Sequence, residues 1–94
     1  MPSESRISNE RVCYATGRTD NLDRHHIWKG SRRNASEKHG MWVYLNHSVH
    51  LDMHDHRKPY ETLENDLKVI GQQAFEDSGG TREEFMKAFG ASYL

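Results

Sequence analysis

All seven histidines of this chain fall between His25 and His56. Four of them form an adjacent pair, His25 and His26, followed after a gap by His50 and His54 at an H-x3-H spacing. Neighbours on a β-strand point to opposite faces, whereas residues four apart on a helix share one face. A strand and a helix together can therefore offer three imidazole nitrogens to a metal ion and leave one histidine free as a base.

The rest of the chain indicates a single domain, 1–94, with a thin core. Its 94 residues are 34% hydrophobic, with a mean hydropathy of −0.99. Small domains of this kind often need a metal or a partner for stability. The single Cys13 excludes an internal disulfide and is compatible with a reducing compartment. No apolar run approaches the roughly 18 residues of a membrane span. The polar start predicts no signal peptide, so we expect a cytoplasmic protein with no membrane partner.

Residue patterns predict the α+β class. Residues 1–9 are polar and are expected to fray. Residues 11–16 have strand composition, and after a turn-rich stretch residues 22–28 are predicted to return as the second strand of a hairpin. Residues 29–40 are predicted to form a long loop, and a loop of that length in a small domain usually has a function.

The second half of the chain predicts a buried strand followed by helices. Residues 41–45 are β-prone and apolar on both faces. Residues 46–48 suit a turn and a helix cap, which would lead into a short helix carrying His50 and His54. The final third predicts two helices. The first has Pro59 in its first turn and an apolar face formed by Leu63, Leu67, Ile70 and Ala74. The second has a capping box of Thr81 and Glu84, ends at Gly90 and is followed by a docking tail of Tyr93 and Leu94.

Charge is distributed unevenly although the net charge is only −1. Residues 18–38 carry six Lys and Arg against three acids, and residues 61–84 carry seven acids against two bases. The basic stretch surrounds the first histidine pair, where a phosphate would approach. Arg24, Arg32 and Arg33 are the candidates for gripping it, since guanidinium pairs with phosphate in a two-pronged way. The alternative is an ordinary solvated loop.

At this point the chain resembles the HNH endonuclease family. The resemblance covers residues 13–56, and the end of the chain, 89–94, also looks like that of small phage-encoded members. The spacing from the first histidine pair to the H-x3-H is similar to that of nuclease colicins. The motifs that carry the resemblance are Asp23-Arg-His25-His26-Ile27, Gly40-Met-Trp-Val-Tyr-Leu45 and His50-x3-His54.

The resemblance implies a ββα-metal unit over residues 10–56, with a β-hairpin and a short helix, and a helical scaffold over 57–94. It implies a metal-dependent endonuclease that hydrolyses DNA phosphodiester bonds, and a phage or prophage protein in a bacterial host. The implied metal ligands are His25, His50 and His54, and the implied general base is His26.

One divalent ion is expected in such a site. Histidine-rich ligation suits zinc or nickel in the isolated protein, whereas turnover is compatible with magnesium or manganese. The expected partner is DNA, and a homodimer or a phage or host protein partner is also compatible with so small a unit. His56 follows closely enough to compete with His54 as a ligand, although His54 needs no distortion of the helix.

Two departures from the family pattern leave alternatives open. Only Cys13 remains of the cysteines that brace many members, with Thr16, Asn46 and Val49 at the other places, so we predict no structural zinc ribbon. Met41 stands where an asparagine usually orients the base, and His39, Asn46 or a backbone carbonyl is a candidate substitute. A second hypothesis is therefore a binding module that regulates or inhibits another machine. A third is a purely structural histidine–metal site.

Overall fold

The computed structural model describes residues 4–8 and 10–94 and has the α+β architecture predicted from the sequence. Within the described residues, a two-stranded antiparallel sheet has one short helix between its strands and three helices after the second strand. The elements in chain order are β1 (Leu22–His26), a 3-10 turn (Gly30–Arg32), α1 (Arg33–Lys38), β2 (Trp42–Asn46), α2 (His47–His54), α3 (Leu63–Asp77) and α4 (Arg82–Phe89).

The pairing of β1 with β2 positions the histidine pair. Leu22 lies opposite Asn46 at one end of the ladder, and His26 lies opposite Trp42 at the other. His25, the fourth residue of β1, is almost fully buried, with 1% of its surface exposed, whereas the alternation of the strand sends the next side chain to the other face. The predicted buried strand is confirmed as β2, in which four of five residues are buried.

The predicted strand at residues 11–16 is wrong, because this segment folds into a turn. The Cys13 amide donates to the Arg18 carbonyl at 2.7 Å, and Gly17, at a φ of 77°, donates back to the Cys13 carbonyl. The segment contacts β2 from this turn: the Tyr14 amide donates to the Tyr44 carbonyl at 2.8 Å, and the Arg11 guanidinium lies 5.8 Å from the centre of the Tyr44 ring. It does not join the ladder, in which β1 pairs with β2.

The predicted loop at 29–40 is also corrected, because it contains the 3-10 turn and α1. Ser36 explains how so polar a stretch is held. Its hydroxyl accepts from the Trp28 amide at 3.0 Å and donates to the Trp28 carbonyl at 2.9 Å, and the residue is fully buried. This bridge also ends β1 before Trp28, two residues earlier than predicted. Helix α1 therefore packs directly beside the strand that carries the histidine pair.

The C-terminal helices cover the opposite side of the core. The apolar face of α3 is rotated from the predicted one: Leu67 and Phe75 are buried, whereas Ile70 is 37% exposed. Pro59 precedes α3, which begins only at Leu63, so the predicted first-turn position is wrong. The predicted capping box of α4 and its stop at Gly90 are both confirmed. Trp28, Phe85 and Phe89 stack with Tyr93 in one aromatic cluster beneath these helices.

The two ends of the described chain contact the body of the molecule. Ser5 is buried and its hydroxyl donates to the Trp42 carbonyl, and the Arg6 amide donates to the Gly40 carbonyl at 2.8 Å. The fraying expected for residues 1–9 therefore does not extend to 4–8, while residues 1–3 and 9 lie outside the described residues. The Tyr93 amide donates to Gln72 at 2.6 Å, as a docking tail requires. Among the described helices, none has the length and apolar character needed to cross a lipid bilayer.

Candidate metal centre and adjoining groove

Strand β1 and helix α2 bring together the three histidines predicted as metal ligands. One ring nitrogen from each of His25, His50 and His54 lies within 4.8 Å of the others. His50 and His54 are one helical turn apart, and their Nε2 atoms are 3.0 Å from each other. The ring of His25 lies 5.1 Å from that of His50 and 5.8 Å from that of His54, centre to centre. These three side chains are close enough to bind one metal ion.

The environment of His25 fits a metal ligand. Neither of its buried ring nitrogens has a hydrogen-bond partner among residues 4–8 and 10–94. Burial lowers the pKa of His25 to about 3, with smaller contributions from His50 and Lys29. The ring is therefore neutral at physiological pH and keeps a lone pair available. A buried polar nitrogen without a partner is costly, and coordination of a cation removes that cost for one of the two.

Asp23 orients the second ligand. Its Oδ2 atom lies 2.9 Å from Nδ1 of His50 and 2.7 Å from Nδ1 of His47, and these contacts lower the pKa of the carboxyl group. An ionised carboxylate only accepts, so Nδ1 of His50 carries the proton and Nε2 keeps its lone pair. That Nε2 is the atom beside His54. Asp23 shares a face of β1 with His25 because the two are two residues apart, a signal present in the sequence but not used above.

Lys29 places a positive charge beside the third ligand. Its Nζ atom lies 3.0 Å from Nδ1 and 3.3 Å from Nε2 of His54, and 3.4 Å from a carboxylate oxygen of Glu64. Burial lowers the pKa of His54, and the charge of Lys29 lowers it further. The neutral form of His54, which a metal ligand must adopt, is therefore favoured, although Lys29 contacts the ring in this structure. Lys29 was not singled out in the sequence because a single lysine in a basic stretch carries no specific signal.

His56 is not part of the cluster. It has a left-handed backbone, at a φ of 54°, beyond the end of α2, and its Nδ1 atom lies 3.5 Å from the Glu61 carbonyl. The chain has turned away from the helix axis at this point. Of the two alternatives for the third ligand, the geometry brings His54 to the site.

His26 lies on the other side of β1 and contacts an acid of α1. Its Nε2 atom is 2.7 Å from Oε2 of Glu37, whose Oε1 atom accepts from Nη1 of Arg24 at 2.7 Å. The Arg24 guanidinium in turn lies 3.8 Å from the centre of the Trp42 ring. His26 is thus outside the metal cluster, as predicted for a base, while its neighbour on the strand is inside it.

Two adjoining clefts connect His26 with the metal cluster. One, of about 350 Å³, lies over the contact between β1 and α1, and the second, of about 280 Å³, runs across to α2. Together they form what we call the groove. Its lining consists of Arg24, His25, His26, Lys29, Arg33, Asn34, Glu37, His50 and His54.

The three arginines predicted to grip phosphate have different positions. Arg33 lines both clefts, and Arg24 lines them while bonded to Glu37. Arg32 points elsewhere: its Nη1 atom donates to the Ala88 carbonyl of α4 at 3.1 Å. The groove therefore brings Arg24 and Arg33 together with Lys29, and Arg32 fastens the 3-10 turn to the C-terminal helix.

Met41 and its candidate substitutes do not supply a side-chain partner for His26. Met41 is fully buried in the core, and a thioether is at best a weak acceptor. His39 packs edge-on against the rings of Phe75 and Phe89. Asn46 caps α2, accepting from the Ser48 amide at 3.1 Å. The residue that does contact His26, Glu37, was not considered because it lay in a stretch predicted to be a loop.

Comparisons with protein-family models, with curated proteins and with solved structures return no match to this chain. What the molecule does must therefore be inferred from the site itself.

Proposed function

We propose that the protein is a metal-dependent endonuclease of the HNH type that hydrolyses DNA phosphodiester bonds. One observation carries the proposal. His25, His50 and His54 form a cluster close enough to bind a metal ion, and a fourth histidine, His26, lines the same groove without belonging to that cluster. A purely structural metal site has no use for such a neighbour. Metal-assisted hydrolysis needs both a cation and a separate base.

The chain's own residues would divide the work. His25, His50 and His54 would hold one divalent ion, zinc or nickel in the isolated protein and magnesium or manganese during turnover. When bound, that ion would supply Lewis-acid stabilisation of charge on the phosphate and on the departing 3′ oxygen. His26 would take the proton of a water whose oxygen bonds to phosphorus as the bond to the 3′ oxygen breaks.

The cations of the groove suit a polyanionic substrate. Arg33 and Lys29 line the same cleft as the histidines and would pair with phosphates flanking the scissile one. The proposed substrate is DNA in the cytoplasm of a bacterium that carries the phage or prophage. The small groove offers no separate recognition module, so sequence preference would be low or borrowed from a partner, including a second copy of the chain.

A plasmid-cleavage assay tests the proposal, with EDTA, Mg²⁺, Mn²⁺, Ni²⁺ and Zn²⁺ compared for the wild-type protein, His26→Ala and His56→Ala. We expect metal-dependent nicking or linearisation that falls about 10²–10⁴-fold in His26→Ala. The control His56→Ala removes a histidine outside the groove and should cleave like the wild type. Metal content and melting temperature should be unchanged in both variants. Full activity of folded His26→Ala protein would refute the assignment of the base.

A second function, a DNA-binding regulator that no longer cleaves, is favoured by the buried Met41 at the place of the usual asparagine. It predicts no cleavage with any metal. It also predicts DNA binding that is indifferent to His26→Ala and weakened by Arg33→Ala, which a fluorescence anisotropy titration with a labelled duplex would measure.

A further inference from the structure

We propose that Glu37 is the positioning residue for His26, taking over the task that Met41 cannot perform. This inference rests on the proposed function, because it concerns how the base of that reaction is oriented. Glu37 is not itself placed to touch the reacting atoms; it acts through the imidazole.

The contact is short and is held from both sides. Oε2 of Glu37 lies 2.7 Å from Nε2 of His26, and Oε1 lies 2.7 Å from Nη1 of Arg24. The His26 side chain is only 11% exposed and that of Glu37 33% exposed. Both oxygens of one carboxylate are thus engaged within the protein, so the carboxylate plane cannot rotate without breaking one of two charge-assisted bonds.

The surrounding elements fix both partners. The Arg24 guanidinium stacks 3.8 Å above the Trp42 ring, and Trp42 lies opposite His26 in the strand ladder. On the helix side, Glu37 directly follows Ser36, whose buried hydroxyl bonds both the amide and the carbonyl of Trp28. Helix α1 is therefore tied to the segment that directly follows β1, at the residue next to Glu37, which leaves the Glu37–His26 distance little freedom.

This arrangement selects one tautomer of His26. An ionised carboxylate accepts and never donates, so the proton of the neutral ring is held on Nε2. The lone pair is then on Nδ1, which is the nitrogen able to take a proton from water. Without Glu37 the ring would rotate and exchange tautomers, and only a fraction of molecules would present a base at any moment.

The test uses Glu37→Ala and Glu37→Gln in the full chain, with Glu83→Ala as the matched control on the exposed surface of α4. For a labelled DNA duplex, we expect Glu37→Ala to lower kcat about 10–100-fold while KM stays within about twofold. Glu37→Gln keeps an oxygen that can accept from Nε2 and should recover most of the loss. Glu83→Ala should match the wild type.

A second readout does not depend on activity. In zinc-loaded protein labelled with ¹⁵N, long-range ¹H–¹⁵N spectra should show Nε2 of His26 protonated and Nδ1 unprotonated, with the signals assigned by their loss in His26→Ala. In Glu37→Ala the two nitrogens should shift towards the averaged values of exchanging tautomers. A variant that binds as much zinc as the wild type is folded at the site, so a mixture of His26 tautomers in such a variant would not result from unfolding.

Three results would each overturn the proposal: a His26 ring that is protonated on Nδ1 in the wild type, a tautomer that Glu37→Ala leaves unchanged, or a fall of kcat in Glu37→Ala no larger than in Glu83→Ala. If the wild-type protein cleaves DNA with none of the metals, the proposed function fails, whereas the spectra still decide whether Glu37 positions His26.

Discussion

His25 combines properties that rarely occur together in an imidazole: it is buried, neutral and without a hydrogen-bond partner among the described residues. Its neighbours His50 and His54 turn their Nε2 atoms towards each other at the same place. These two Nε2 atoms are within hydrogen-bonding distance of each other, whereas both nitrogens of His25 are unsatisfied among the described residues, which is unfavourable in the absence of a cation. The unsatisfied nitrogens of His25 thus lower the conformational stability of the metal-free protein and leave the site ready to bind a cation.

The burial of His25 predicts acid lability of the metal-free protein. Its pKa of about 3 in the folded state lies below the ordinary value of 6.5. Below about pH 6.5 the unfolded chain therefore takes up a proton on this residue and the folded chain does not. The free energy of unfolding should therefore decrease as the pH is lowered below about 6.5, by up to about 1.4 kcal/mol per pH unit for this one group.

Urea unfolding in EDTA, between about pH 6 and 4.5, measures this slope. In His25→Gln the slope should be smaller by the contribution of one proton, whatever the overall stability of the variant. His56→Gln, which removes an exposed histidine, should keep the wild-type slope. Equal slopes in His25→Gln and the wild type would mean that His25 is protonated in the folded protein.

At the scale of elements, α1 determines the shape of the groove although it is only six residues long. It supplies Glu37 to His26 and Arg33 to both clefts. A helix so short has little stability of its own. Its position depends on tertiary contacts, among them the fully buried bridge from Ser36 to Trp28 and the contacts of Glu37 with His26 and Arg24.

Removing that bridge should destabilise the protein. Ser36→Ala leaves the buried amide and carbonyl of Trp28 without the hydroxyl, which should lower the free energy of unfolding by about 1–3 kcal/mol. Ser31→Ala, on the exposed 3-10 turn, should change it by less than about 0.5 kcal/mol. Denaturant unfolding measures both, and an equal effect of the two substitutions would show that the bridge contributes nothing.

The elements also show which parts of the fold the sequence could predict. The β2 strand, the capping box and the stop at Gly90 follow from local patterns, so they were found. Helix α1 was missed because the sequence Gly-Ser-Arg-Arg-Asn-Ala-Ser is typical of a loop. The helix is stabilised by contact with Trp28, which lies outside it and is not part of its local sequence pattern. The strand predicted at 11–16 was wrong because backbone hydrogen bonds of Cys13 with Arg18 and Gly17 close a turn there, which composition does not reveal.

At the scale of the whole molecule, the candidate site was easier to predict than its supports. The grouping of His25, His50 and His54 could be predicted because the resemblance names these three positions and the strand and helix periodicities are compatible with it. The contacts of Glu37 and Lys29 depend on how α1, α2 and α3 pack around β1, which no local pattern encodes. The position of Asp23 on the same face of β1 as His25 follows from strand alternation, but its contact with His50 does not.

The thin core predicts a large effect of metal on global stability. A metal at about 100 times its Kd adds about 2.7 kcal/mol to the free energy of unfolding, which for a domain of this size raises Tm by about 10–20 °C. Thermal unfolding with Zn²⁺ and with EDTA tests this. His50→Ala should lose the shift and His56→Ala should keep it. A shift retained by His50→Ala would place the binding elsewhere on the molecule.

The alternation of side chains between the two faces of β1 limits how such a site can change during evolution. Asp23 and His25 lie on the face of β1 that contacts α2, and Arg24 and His26 lie on the face that contacts α1. A gain or loss of one residue inside this five-residue segment would turn the side chains on one side of the change to the opposite face, so the proposed ligand and the proposed base could not both keep their places. Substitutions can tune either side separately, but the length of the segment is fixed. We expect deletions and insertions within 22–26 to be the least tolerated changes in the protein.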